Sequence, residues 1–85
     1  MKIDGAIVKE QGVTFSIIVV KPHVLQDRLE QDKMRQSLKH IFPSPIILMS
    51  QDHRGVPTYQ GRKDIVKFLS GIHPSRIPWK TYTIE

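Results

Sequence analysis

Ile65, Phe68, Leu69 and Ile72 recur at i, i+3, i+4 and i+7, the spacing of one face of a helix. Gly71 and Pro74 supply its stop. A second helical stripe, Met34, Leu38, Ile41 and Phe42, lies within 27–42 (DRLEQDKMRQSLKHIF). Asp27 followed by Glu30 resembles a capping box at the start of that segment. Leu25 and Leu29 fall on the opposite side of the 100° helical step, so the helix is expected to begin later than Asp27, with Leu25 and Leu29 packed in a separate loop. Pro43 and Pro45 close it.

Elsewhere the pattern has the period of strands. Residues 5–9 and 13–21 read as two strands around EQG, with Gly12 supplying the positive φ of a tight hairpin. In the second, Val13, Phe15, Ile17 and Val19 share one face, and Thr14, Ser16, Ile18 and Val20 the other. Its first half is one-sided and its second half apolar on both sides, as in a strand running from an edge into the middle of a sheet. Residues 46–50 (IILMS) read as a buried strand, QDHRG as a hairpin with Gly55 in the left-handed position, and 56–60 as its partner. Pro57 has no N–H to donate, which puts this partner at an edge. IPWKTYTIE forms a closing strand, with Trp79, Thr81 and Thr83 on one face and Lys80, Tyr82 and Ile84 on the other.

The order β-β-α-β-β-α, with a closing β, is that of a small α+β domain: one mixed sheet and two helices. A right-handed crossover through 27–42 makes strands 13–21 and 46–50 parallel near neighbours. Hairpin partners flank them, and both helices are expected on one face. Pro45 to Leu69 resembles the strand–hairpin–helix second half of a thioredoxin-like architecture. The CxxC pair of that family is absent, so the resemblance implies architecture without the redox motif.

Composition narrows the classes. Eighty-five residues make one domain. The absence of cysteine excludes disulfides, thiolate metal sites and thiol catalysis and fits a cytoplasmic setting. MKIDGAIVKEQG lacks the apolar stretch of a secretion signal. The longest apolar runs, IIVV (17–20) and IILM (46–49), fall far short of a membrane span. Thirteen Lys and Arg against eight Asp and Glu give a formal charge of +5, which draws a chain towards polyanions at low salt.

One stretch departs from what a helix start prefers. In QGRKD (60–64), Gly61 is the expected N-cap, Arg62 and Lys63 the first two helical positions and Asp64 the third. The N-terminus of a helix already carries about half a positive charge, so cations there cost a few tenths to about 1 kcal/mol. Gly61, Arg62 and Lys63 together form the donor set that a phosphate would occupy. Asp64, or simple solvation of the two long side chains, can equally offset the charge. Arg54, at the hairpin tip, is separated from Gly61 by a strand about 16 Å long. A small anion cannot touch Arg54 and Arg62 together, whereas a nucleic-acid backbone can. Lys67 lies about 140° round the helix from Arg62.

No other motif carries chemistry. His23, His40, His53 and His73 show no i, i+3 or i+4 pairing, and the serines lack a nucleophile elbow. No metal, cofactor or catalytic residue is expected. Tyr59, Tyr82 and Trp79 are expected to pack against the core, Trp79 anchoring the C-terminal segment. Three classes follow: a non-catalytic protein-interaction module, self-associating through a sheet edge or the C-terminal segment; a nucleic-acid or phosphoanion binder using Arg54, Gly61, Arg62, Lys63 and Lys67; and, last, a small enzyme.

Overall fold

The computed structural model describes residues 1–10 and 12–84; Gln11, within the expected EQG turn, lies outside the described residues. Five strands form one mixed sheet: β1 (Lys2–Glu10), β2 (Val13–Val19), β3 (Ile46–Gln51), β4 (Pro57–Gln60) and β5 (Lys80–Thr83), in the order β4-β3-β2-β1-β5. Only β2 and β3 run parallel, with Ser16 opposite Ile46 and Val19 opposite Met49. The other neighbours are antiparallel. As the sequence predicts, β2 is central, β4 carries Pro57 at an edge, and each hairpin partner flanks its strand.

Helices α1 (Arg28–Leu38) and α2 (Lys63–Ser70) do not share a face of the sheet, contrary to expectation. Ala6, Phe15, Ile17, Ile47 and Met49 pack with Ile65 and Leu69 of α2. Ile3, Ile18, Ile46 and Leu48 pack on the other side with Leu38 of α1 and with Val24 and Phe42. The fold is therefore three layers, helix on sheet on helix. The cause lies in β2: an apolar stretch on both sides needs a cover on both sides, and one helix covers only one.

Asp27 caps α1, its Oδ1 accepting from the Leu29 and Glu30 amides at 3.0 and 3.3 Å. Contrary to the expected later start, the helix begins directly after Asp27 and includes Leu29, which is exposed because it lies on the side away from the apolar stripe. Only Leu25 is in a separate segment, a 3-10 turn over Pro22–Gln26 that holds it against the core of the α1 side. The helix is shorter than its stripe predicts. After Leu38 the chain tightens, with Ile41 N–H donating to Leu38 O three residues back. That shift leaves Ile41 half exposed while Phe42 is buried. Phe42 meets the Tyr82 ring edge-on at 5.0 Å. A cis Ser44–Pro45 bond leads into β3.

The β3–β4 turn follows its sequence. Gly55 has φ 81° and its N–H donates to Asp52 O at 2.9 Å. Asp52 Oδ1 accepts from the Arg54 and Val56 amides at 2.8 and 3.0 Å. Trp79 anchors the C-terminal segment as expected: it packs on the α2 side and its Nε1 donates to Pro74 O at 2.8 Å.

Tyr59 belongs to the same packed side, but its hydroxyl is buried without a hydrogen-bond partner among the described residues. Burial also pushes its phenol pKa above the usual value. An unmade buried hydrogen bond costs about 1–3 kcal/mol, so Tyr59→Phe is expected to raise stability by about 1 kcal/mol in urea unfolding. Because the folded-state pKa is the higher one, the Tyr59 hydroxyl favours the folded state less once pH rises above about 10 and through the folded value. This alkaline component should vanish in the variant. A loss of stability at neutral pH would show that the hydroxyl has a partner.

Candidate functional site

The residues singled out by sequence separate into three places. The N-cap of α2 lies one residue later than the sequence predicts. Arg62, with φ −58° and ψ 125°, is the N-cap of α2, and Gly61 precedes it. The extra residue is needed because Gly61 (φ 156°) lies against β3: a Cβ there would meet Ile47 Cδ1 at 2.6 Å and Ile46 O at 3.4 Å. The chain can turn into the helix only after clearing that contact.

Arg62 offers no side-chain cap to the amides of the first turn. It forms an ion pair with Asp64 instead, Nε to Oδ1 at 2.8 Å, both side chains more than half exposed. Such a pair is worth little in water, but it orients the guanidinium across the helix start. Gly61 and Arg62 border a groove of about 470 Å³ whose opposite wall is α1, with Arg35, Gln36 and Lys39, and whose floor includes Ser44, Pro45 and Ile46. No acidic residue lines it among the described residues.

Arg35 is the anchor of this groove. Its Nε donates to Ile46 O at 3.1 Å and its Nη2 to Gln60 O at 2.9 Å, with a further bond to Gln60 Oε1. One guanidinium thereby ties the start of β3 to the end of β4. Burial lowers the Arg35 pKa and Asp32 partly opposes that shift, yet arginine keeps its proton in any protein setting. Among the described residues, Nη1 of Arg35, both Nη atoms of Arg62 and Nζ of Lys39 make no bond within the chain.

Lys63 and Lys67 sit elsewhere. One helical turn apart, they border a shallow depression of about 410 Å³ that also includes Tyr59, Gln60 and Gly61. Gly61 is thus the shared rim of two adjoining basic concavities. Lys67 is not in line with Arg62, as the helical step requires, but it is in line with Lys63. Arg54 is in the turn at the far end of β4 and touches neither concavity.

Arg35 and Lys39 went unrecognised in the sequence. A signal for them exists in the topology. A helix that crosses over between two parallel strands runs back to the end where the second begins, so the last turn of α1 lies beside the start of β3. The β3–β4 hairpin returns Gln60 to that same end. No group of His, Asp or Glu suited to a metal occurs among the described residues, and no helix is long and apolar enough to cross a membrane. No known family model, curated protein or solved structure matches this chain.

Proposed function

We propose that this chain is a non-catalytic binding module whose ligand is a phosphate-bearing polyanion of the nucleic-acid class, acting in the cytoplasm. One observation carries the reading: among the described residues lining the groove between α1 and the start of α2 are Arg35, Lys39 and Arg62 and no carboxylate, the Asp64 group that pairs with Arg62 Nε lying outside that lining. Arg35 is held rigidly by three acceptors, so it loses little freedom on binding. Guanidinium groups with unspent Nη donors suit phosphate oxygens geometrically. Lys63 and Lys67 extend the positive surface past Gly61, which favours a polyanion over a single small ion. Arg54 then belongs to the reading only as a distant contact for a long ligand.

The test is titration of the isotopically labelled protein at low salt, first with inorganic phosphate and then with short single-stranded oligonucleotides. Amide signals of Gly61 to Asp64 and the side-chain signals of Arg35 and Arg62 are expected to move. Affinity for the oligonucleotide should fall with salt, by a log–log slope of about −0.7 for each phosphate neutralised. Lys39→Met should weaken binding several-fold without altering stability, because the Lys39 side chain makes no bond among the described residues. If the signals from Gly61 to Asp64 stay fixed at low salt, the reading fails.

A further inference from the structure

The β1 strand is nine residues long, but its outer neighbour β5 covers less than half of it. The β1–β5 register runs only from Lys2 opposite Thr83 to Gly5 opposite Lys80. Beyond Gly5 the chain before Lys80 leaves the sheet plane, because Ile77 and Trp79 pack on the α2 side. Ala6 to Glu10 pair inward with β2 without interruption, from Ala6 opposite Ile17 to Glu10 opposite Val13. Their outer edge has no strand among the described residues.

The hydrogen-bond phase of that edge is fixed by the pairing next to it. Met1 and Ile84 exchange both main-chain bonds, N to O at 2.9 Å in one direction and 2.7 Å in the other. Met1 and Ile84 are thus a hydrogen-bonded pair, and in an antiparallel ladder such pairs alternate along the strand. The odd-numbered residues of β1 therefore turn their N–H and C=O groups towards β5, and the even-numbered ones towards β2. At the uncovered stretch the outward groups belong to Ile7 and Lys9, and neither residue has another main-chain partner among the described residues.

We propose that a second copy of this chain occupies this edge, its β1 antiparallel to the first and centred on Val8, so that the two sheets run on as one. The two-fold axis of such a pair stands perpendicular to the sheet, because opposite residues must point to the same side. Some residue must then face its own counterpart. Centring on Ile7 would require the outer groups of Gly5, which already bond Lys80. Centring on Lys9 sets two ammonium groups directly opposite, which is destabilising. Centring on Val8 sets Ile7 opposite Lys9 of the second copy, and Lys9 opposite its Ile7. Both are outward-facing positions, so the ladder closes with four main-chain hydrogen bonds, two at each such pair. The Lys9 methylene stem covers Ile7, which is 43 % exposed. The two Val8 side chains meet on the α2 side, beside the core that Val8 already borders. Of the devices that ordinarily blunt a sheet edge, the stretch has no proline and no bulge; its charged residues, Lys9 and Glu10, are the ones it does carry, and the Val8-centred register keeps the two Lys9 side chains from facing each other.

Sedimentation of the intact chain over a wide concentration range, at raised salt to screen the like net charge, tests the pairing. A monomer–dimer equilibrium is expected, strengthening with salt, whereas phosphate binding weakens with salt. Ile7→Glu puts a carboxylate opposite Lys9 of the second copy at both symmetric positions and should tighten the dimer about 2- to 30-fold. Ile7→Lys should loosen it by a similar factor. Position 7 is exposed, so both variants keep the fold. The register is read separately by Val8→Cys in this cysteine-free chain. Residues facing each other in a non-hydrogen-bonded pair stand about 4.5 Å apart at Cα, within disulfide reach. Val8→Cys should therefore cross-link on oxidation faster than Ile7→Cys or Lys9→Cys. A monomer up to about 1 mM, the weak end of specific association, overturns the proposal. So does equal response to both charges at position 7, or cross-linking that prefers another position. A monomer whose Ile7 and Lys9 amides shift only with an added strand-forming peptide would assign the edge to a foreign strand instead.

Discussion

Arg35→Met is expected to lower the unfolding free energy by about 3 kcal/mol, read from urea denaturation followed by far-ultraviolet circular dichroism and by the fluorescence of the single Trp79. The methionine fills much of the same volume, so the loss is one of hydrogen bonds rather than packing. Arg35 serves Ile46 O, Gln60 O and Gln60 Oε1. A hydrogen bond to a charged donor contributes about 1.5–3 kcal/mol, and each carbonyl left without a donor adds a penalty. Arg35→Lys should recover little, since one ammonium cannot span acceptors on two strands as a planar fork does. Lys39→Met, at the C-cap just past the last residue of α1, should stay within about 0.5 kcal/mol of the parent, as surface changes usually do. An Arg35→Met protein as stable as the parent would mean that water serves those carbonyls equally well, and that the groove is not built around this side chain.

Gly5→Ala should cost about 2 kcal/mol, or roughly 10 °C in Tm for a chain of this size. The reason is the spacing between β1 and β2. A Cβ at residue 5 would lie 2.5 Å from Ile17 O and 3.2 Å from Ile18 Cδ1. The carbonyl belongs to the backbone of the central strand and cannot swing aside as a side-chain end can. Ile17 and Ile18 are themselves buried, so the strand cannot retreat without disturbing both cores. The alanine regains some of the loss by restricting the unfolded chain, which the figure of about 2 kcal/mol includes. A change in Tm of under about 2 °C would show that the two strands can separate locally at little cost.

Much of this fold can be read from residue patterns, for identifiable reasons. Alternation in 13–19, the positive-φ glycine at 55 and the missing amide of Pro57 are local signals, and the sheet uses each of them as expected. The parallel β2–β3 pair follows from the crossover connection. The placement of the helices on opposite faces does not follow from connection rules, because a helix leaving an edge strand can return over either side. Its trace was nonetheless present in Ile17, Ile18, Val19 and Val20, a stretch too apolar for a sheet covered on one side. The candidate site divides in the same way. Gly61, Arg62 and Lys63 are contiguous and stand out by their charge at a helix start. Arg35 is 25 residues from Gln60 in sequence, and its role is a product of tertiary approach. Even the one-residue shift of the α2 cap has such a cause, the contact of Gly61 with Ile47 in another strand.

The sheet divides the interior into two compartments with no residue in common. Groups on opposite sides are separated by the sheet itself and share no partner, so their energetic effects should simply add. A lineage could therefore rework the packing beneath α2 without compensating changes beneath α1. The exceptions are the positions of β2 and β3 where both linings hang from adjacent residues, Ile17 and Ile18 in one strand and Ile46, Ile47, Leu48 and Met49 in the other, and there the two evolutionary histories should remain tied.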